Sequence, residues 1–91
     1  MSKGKTTVEV TLDGQSYHVQ KFNIGQHRKA LEILRGDPMD ASFEILGLAL
    51  TRAEPKVDDV DELGAGLTEV REAVSKILEF SGYKDNAVPN G

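Results

Sequence analysis

The chain is expected to fold as a small α+β domain, an N-terminal β-hairpin packed on three helices. Val8, Val10 and Leu12 alternate with Thr7, Glu9 and Thr11, the period of two that marks a strand with one buried face. Further on, Val60, Leu63, Leu67, Val70, Val74 and Ile77 recur at threes and fours, the period of an amphipathic helix. With 91 residues, 38% of them hydrophobic, there is material for one core and not for two. Residues 1–6 are small and polar and are expected to be disordered; 7–83 form the single domain; 84–91 read as a flexible tail.

Asp13-Gly14 supplies the hairpin turn, because glycine tolerates a positive φ. Tyr17 to Phe22 is then the returning strand. Two strands alone are marginal in water, so one face must rest on helices. Asn23 is placed as an N-cap, with Gln26 three residues on to complete a capping box. Ile24, Leu31 and Leu34 give the first helix an apolar stripe, and Gly36 can end it. Asp37-Pro38 restarts the pattern with an acidic N-cap and a proline at the first helical position, where its missing N–H costs nothing.

The second helix is expected to run to about Ala53 and to stop before Pro55. Met39, Phe43, Leu46 and Leu50 form one stripe on it, and Ile45, Leu48 and Ala49 a second. A helix apolar on both sides is buried on both sides, by its own domain or by another chain. Glu54 to Asp58 reads as a linker. The third helix starts near Asp58 or Asp59, or Gly64 and Gly66 break it into a short turn and a longer helix from about Leu67. Gly82 is placed to end it, with Tyr83 closing over Leu78.

The motifs for chemistry are missing. With no cysteine there is no disulfide, no thiolate metal site and no thiol nucleophile. Asp59, Asp61 and Gly64 fall where a calcium loop needs them, but Leu63 and Val70 occupy two of its ligand positions. The acidic run is then the first turn of a helix, which the helix dipole favours. His18 and His27 stand without ligand-spaced partners, and no Gly-x-Ser-x-Gly elbow is present. Gly64-Ala65-Gly66 lacks the third glycine or the lysine of a phosphate loop.

No catalytic residue, metal ligand or cofactor is therefore expected. A net charge of −4 argues against nucleic acid as a partner. No stretch reaches the ~18 apolar residues that span a membrane, and the basic Met1–Lys5 has no apolar run behind it to make a secretory signal.

What is left is surface for other proteins. The second helix carries more apolar positions than a three-helix domain needs, and no third strand is evident to cover the hairpin edges. Ile45, Leu48, Ala49 and Arg52, with Phe80 and Tyr83, are the expected partner-binding residues. Gln26-His27-Arg28-Lys29 is a compact basic patch on the outer face of the first helix, most simply a solvated face.

Local strings resemble the small tail assembly chaperones of long-tailed bacteriophages. They are Leu12-Asp13-Gly14-Gln15-Ser16-Tyr17 through Phe22, then Ile45 to Pro55 with its Arg-Ala-acidic-Pro ending. Val57 to Leu63 and the closing Ile77-Leu78-Glu79-Phe80-Ser81-Gly82 complete the likeness, which spans about residues 7 to 83. The resemblance implies a phage or prophage protein of the bacterial cytoplasm. It would bind the tape-measure protein before tail polymerisation, cover that protein's apolar helices and help recruit tail-tube subunits; the spare apolar surface of so small a chain also allows a homo-oligomer. A structural adaptor or tail subunit of the particle, or a small cytosolic interaction module, are the alternatives.

Overall fold

A computed structural model describes residues 6–83 of the chain. The expected disordered start and flexible tail lie outside these residues, Thr6 excepted. Strands β1 (Thr7–Leu12) and β2 (Gln15–Gln20) form the antiparallel hairpin, with Val8 opposite Val19 and Val10 opposite Tyr17. Asp13 and Gly14 both have positive φ, 53° and 77°, the two-residue turn whose twist suits a hairpin. Val10, Leu12, Tyr17 and Val19 are buried on one face, and Glu9, Thr11, His18 and Gln20 face out.

Three helices follow: α1 (Ile24–Leu34), α2 (Pro38–Leu50) and α3 (Leu67–Phe80). The sheet rests on α3 and α2, and α1 packs against α2. The molecule is thus an α+β hairpin-plus-three-helix fold. The caps follow the residue chemistry. Asn23 Oδ1 accepts from Gln26 N at 2.8 Å and Gln26 Oε1 accepts from Asn23 N at 3.1 Å, the reciprocal capping box. Asp37 Oδ1 accepts from Met39 N with Pro38 at the helix start. At the end of α3, Gly82 N donates to Glu79 O and Tyr83 N to Leu78 O, a Schellman closure with Gly82 at φ 104°.

Three expectations are corrected, and a fourth, left between two alternatives, is decided. First, α2 ends at Leu50, and Ala53–Glu54 forms a short strand β3 that pairs with β2 at Val19 and His18. So the outer edge of the hairpin is partly covered, and Glu54 belongs to the sheet rather than a linker. An alanine between an arginine and a glutamate carries no strand pattern, and tertiary pairing alone makes it one.

Second, the α1 stripe faces the wrong way. Ile24 is 75% exposed and Leu31 56%, while Gln26 and Ala30 are buried and Leu34 is half-buried. Small Ala30 and the hydrogen-bonding Gln26 allow α1 to lie close to α2, and that contact sets the rotation of the helix. Gln26 is accordingly not part of the outer basic patch, which reduces to Arg28 and Lys29 beside a half-buried His27. Third, Met39 and Phe43 are exposed at 51% and 38%, so of their stripe only Leu46 and Leu50 enter the core. Fourth, α3 begins at Leu67. Val60–Glu62 is a single 3-10 turn capped by Asp59, whose Oδ1 accepts from Asp61 N, as the broken-helix alternative has it.

Glu69 ties this start to the hairpin. Its Oε1 accepts from Gly66 N and from Asp13 N, both at 3.2 Å. Leu67, the last of the expected stripe to be met before the core, is 48% exposed, whereas Val70, Val74 and Ile77 are buried.

Candidate protein-binding surface

The six expected partner residues divide by depth. Ile45 and Ala49 are inaccessible, at 0% and 1% exposure, and belong to the core that joins α2 to the other helices. They are not available to a partner in the folded chain. One apolar face of α2 is hidden by the chain itself. Leu48, Arg52, Phe80 and Tyr83 are half-buried, and these four do come together around the junction of β2 and α1.

That junction is built from side chains that reach across elements. Arg52 Nη1 donates to Lys21 O at 3.3 Å and to Gln26 Oε1 at 3.0 Å, and its Nη2 donates to Gln20 Oε1 at 2.6 Å. Gln26 Nε2 donates to Leu48 O at 3.1 Å. The guanidinium is therefore spent on neutral oxygens of the hairpin exit and α1, which fixes its plane. On the other flank, Lys21 Nζ lies 5.6 Å from the centre of the Phe80 ring, a cation–π contact at an exposed site.

Tyr83 closes the rim. Its hydroxyl is 2.8 Å from His27 Nδ1, and the His27 ring also meets Phe22 edge-on, with centroids 5.8 Å apart. Beneath, the buried Phe22 N donates to Ser81 Oγ at 3.1 Å. Ser81 thus satisfies a backbone donor that β2 leaves unpaired. Nothing in the sequence pairs Ser81 with Phe22, because the contact spans the whole helical part of the fold.

Burial raises the Tyr83 phenol above its usual value of 10.0, since the phenolate is the form that loses hydration. The unfolded chain gives up this proton first. The contribution of the neutral phenol to stability is therefore complete below pH 10 and is lost as the pH rises through the folded value. Tyr17 and Tyr83 are the two tyrosines. In a Tyr17→Phe variant, absorbance of the remaining phenol should titrate with a midpoint above 10; a midpoint at or below the ordinary value means that Tyr83 is solvated and the rim open.

A second surface lies along the far side of α2. An apolar groove of about 280 Å³ runs between α2 and the 3-10 turn, floored by Leu46, Val60, Leu63 and Val70 with Phe43 at its lip. Gly47 lets the turn sit so close: a Cβ there would stand 3.2 Å from Val60 Cγ1. Around Phe43 and Val60 the groove opens onto a shallower depression edged by Asp40, Glu44, Asp58, Asp59 and Asp61. Sequence reading placed Asp58, Asp59 and Asp61 in a helix start and missed that they rim a groove.

Among the described residues no three His, Asp or Glu side chains are grouped to hold a metal ion, and no helix is long and apolar enough to cross a membrane. Compared with known proteins, the chain matches no family model, no curated protein and no solved structure.

Proposed function

We propose that the chain is a non-catalytic protein-binding domain, and specifically a tail assembly chaperone of a long-tailed bacteriophage or prophage that binds the tape-measure protein during tail assembly. The observation that carries the reading is the rim of Leu48, Arg52, Phe80 and Tyr83. One aliphatic, one cationic and two aromatic side chains stay half-exposed there rather than withdrawn into the core, with Arg52 and Tyr83 fixed by hydrogen bonds and Phe80 under Lys21 Nζ. Aromatic and arginine side chains in fixed settings are the usual anchors of protein interfaces. The strings from Leu12 to Phe22 and from Ile45 to Pro55 supply the likeness to the chaperones and hence the identity of the partner.

On this reading an apolar helix of the tape-measure protein covers Phe80 and Leu48, with Arg52 and Lys21 at the margin. The chain supplies cover and no chemistry. Coexpression tests it: a candidate tape-measure protein should stay in the soluble fraction with the wild-type chain and precipitate with a Phe80→Asp variant whose circular dichroism is unchanged. A tape-measure protein that precipitates equally with and without the wild-type chain sinks the reading.

A further inference from the structure

Two surfaces outside the rim remain without a role, and they complement each other. The first is the groove beside α2. Its floor is aliphatic, its lip is Phe43, and its border carries Asp40, Glu44, Asp58, Asp59 and Asp61, all exposed. Among the described residues the single salt bridge is Lys56 to Asp58 at 3.5 Å, so the other four carboxylates have no cation beside them. An apolar floor inside an acidic border suits a helix that presents apolar side chains flanked by basic ones.

The second surface is such a helix. Ile24, Arg28, Leu31 and Arg35 follow one another at intervals of four, three and four, so they form one stripe along α1. The stripe points away from the buried Gln26 and Ala30, and all four of its residues are exposed, Ile24 by 75% and Leu31 by 56%. Leaving two large aliphatic side chains so open stabilises nothing in the monomer. Each forgoes part of the roughly 1.5–3 kcal/mol that full burial brings.

From this match we infer that the groove takes the α1 stripe of a second copy of the chain, giving a head-to-tail association. Ile24 and Leu31 enter beside Phe43, and Arg28 and Arg35 reach the carboxylates of the border. Like-to-like pairing is disfavoured on both sides, because groove against groove sets five carboxylates facing five, and α1 against α1 brings arginines together. The contact is therefore heterologous: donor and acceptor surfaces differ, a pair of copies leaves one donor and one acceptor unused at its two ends, and association proceeds to a ring or an open chain. It goes beyond the chaperone reading, uses other side chains, and stands or falls without it.

Sedimentation of the full chain from about 1 µM to about 1 mM, the range of weak to moderate association, reads it directly. The mean mass should rise with concentration beyond that of a dimer. Raising sodium chloride from about 0.05 M to about 0.5 M should weaken the association roughly tenfold or more, because the ion pairs are at the rim. Arg28→Glu/Arg35→Glu removes the donor and Glu44→Lys/Asp61→Lys the acceptor, at exposed positions whose folding circular dichroism can verify. Each variant alone should be monomeric. An equimolar mixture should associate again with the two variants alternating, since the intact donor of one meets the intact acceptor of the other and the two charge-reversed surfaces match as well, and a chain bearing all four changes should likewise associate. A wild-type chain that stays monomeric throughout overturns the inference, as does association that neither pair of substitutions weakens.

Discussion

Replacing Ile45 by alanine should cost about 3–4 kcal/mol of folding free energy, within the range known for truncating a buried aliphatic side chain to alanine. Ile45 is wholly inaccessible, and it borders a gap of about 20 Å³ that Leu34, Ala41, Val74 and Leu78 also line. One side chain thus meets all three helices. Removing three of its carbons enlarges a space whose walls come from separate elements that cannot all close in together. A small domain is stable by only about 5–15 kcal/mol, so the loss is a large share of the whole. Leu48→Ala, three residues on and half-buried, should cost less than half as much. Urea unfolding of both variants separates core from rim. Should Ile45→Ala unfold at the wild-type midpoint while partner binding falls, Ile45 faces a partner after all and the packing described above is wrong.

Ile45 also shows where sequence reasoning stops. Its pattern, with Leu48 and Ala49, is that of a second apolar stripe, and the inference that α2 is covered on two sides is sound. Periodicity does not say what does the covering. Here the chain's own hairpin and helices take Ile45 and Ala49, while Met39 and Phe43 of the first stripe remain outside.

Features fixed by local chemistry were legible: the Asp13-Gly14 turn, the Asn23–Gln26 capping box, the Asp37-Pro38 start and the Gly82 end each depend on neighbours within four residues. What escaped depends on distant partners. Ala53–Glu54 becomes a strand because β2 has a free edge there, and α1 turns Ile24 outward because Ala30 and Gln26 make the closer contact with α2. Of the rim, Phe80, Tyr83, Arg52 and Leu48 were singled out individually. Their meeting through Lys21, Gln26 and His27 needs three dimensions, as does the acidic border around Phe43.

Gln26 is where the local and the distant meet, and its replacement by leucine should cost about 2–3 kcal/mol. The capping box alone accounts for about 1 kcal/mol of such a loss. The rest lies in bonds that sequence does not show. Gln26 Oε1 accepts from Arg52 Nη1 at 3.0 Å as well as from Asn23 N, and Nε2 donates to Leu48 O. Leucine has nearly the same shape but would take one of three acceptors from the guanidinium, which keeps Lys21 O and Gln20 Oε1, and would leave the Asn23 N–H without its side-chain acceptor; bonds to charged groups are worth about 1.5–3 kcal/mol each. Leu48 O keeps its bond from Thr51 Oγ1 at 2.7 Å, so that partner suffers least.

Glutamate at 26 restores an acceptor for Asn23 N and Arg52 but offers no donor to Leu48 O. Stability should therefore fall in the order Gln, Glu, Leu at neutral pH. The pair Gln26→Leu and Arg52→Ala should be coupled by more than about 0.5 kcal/mol in a double-mutant cycle, the level above which two sites share an interaction. If leucine costs no more than a lost cap and the cycle closes without coupling, Arg52 is held by Gln20 and Lys21 alone. A rim whose arginine is independent of α1 would then present no fixed geometry to a partner.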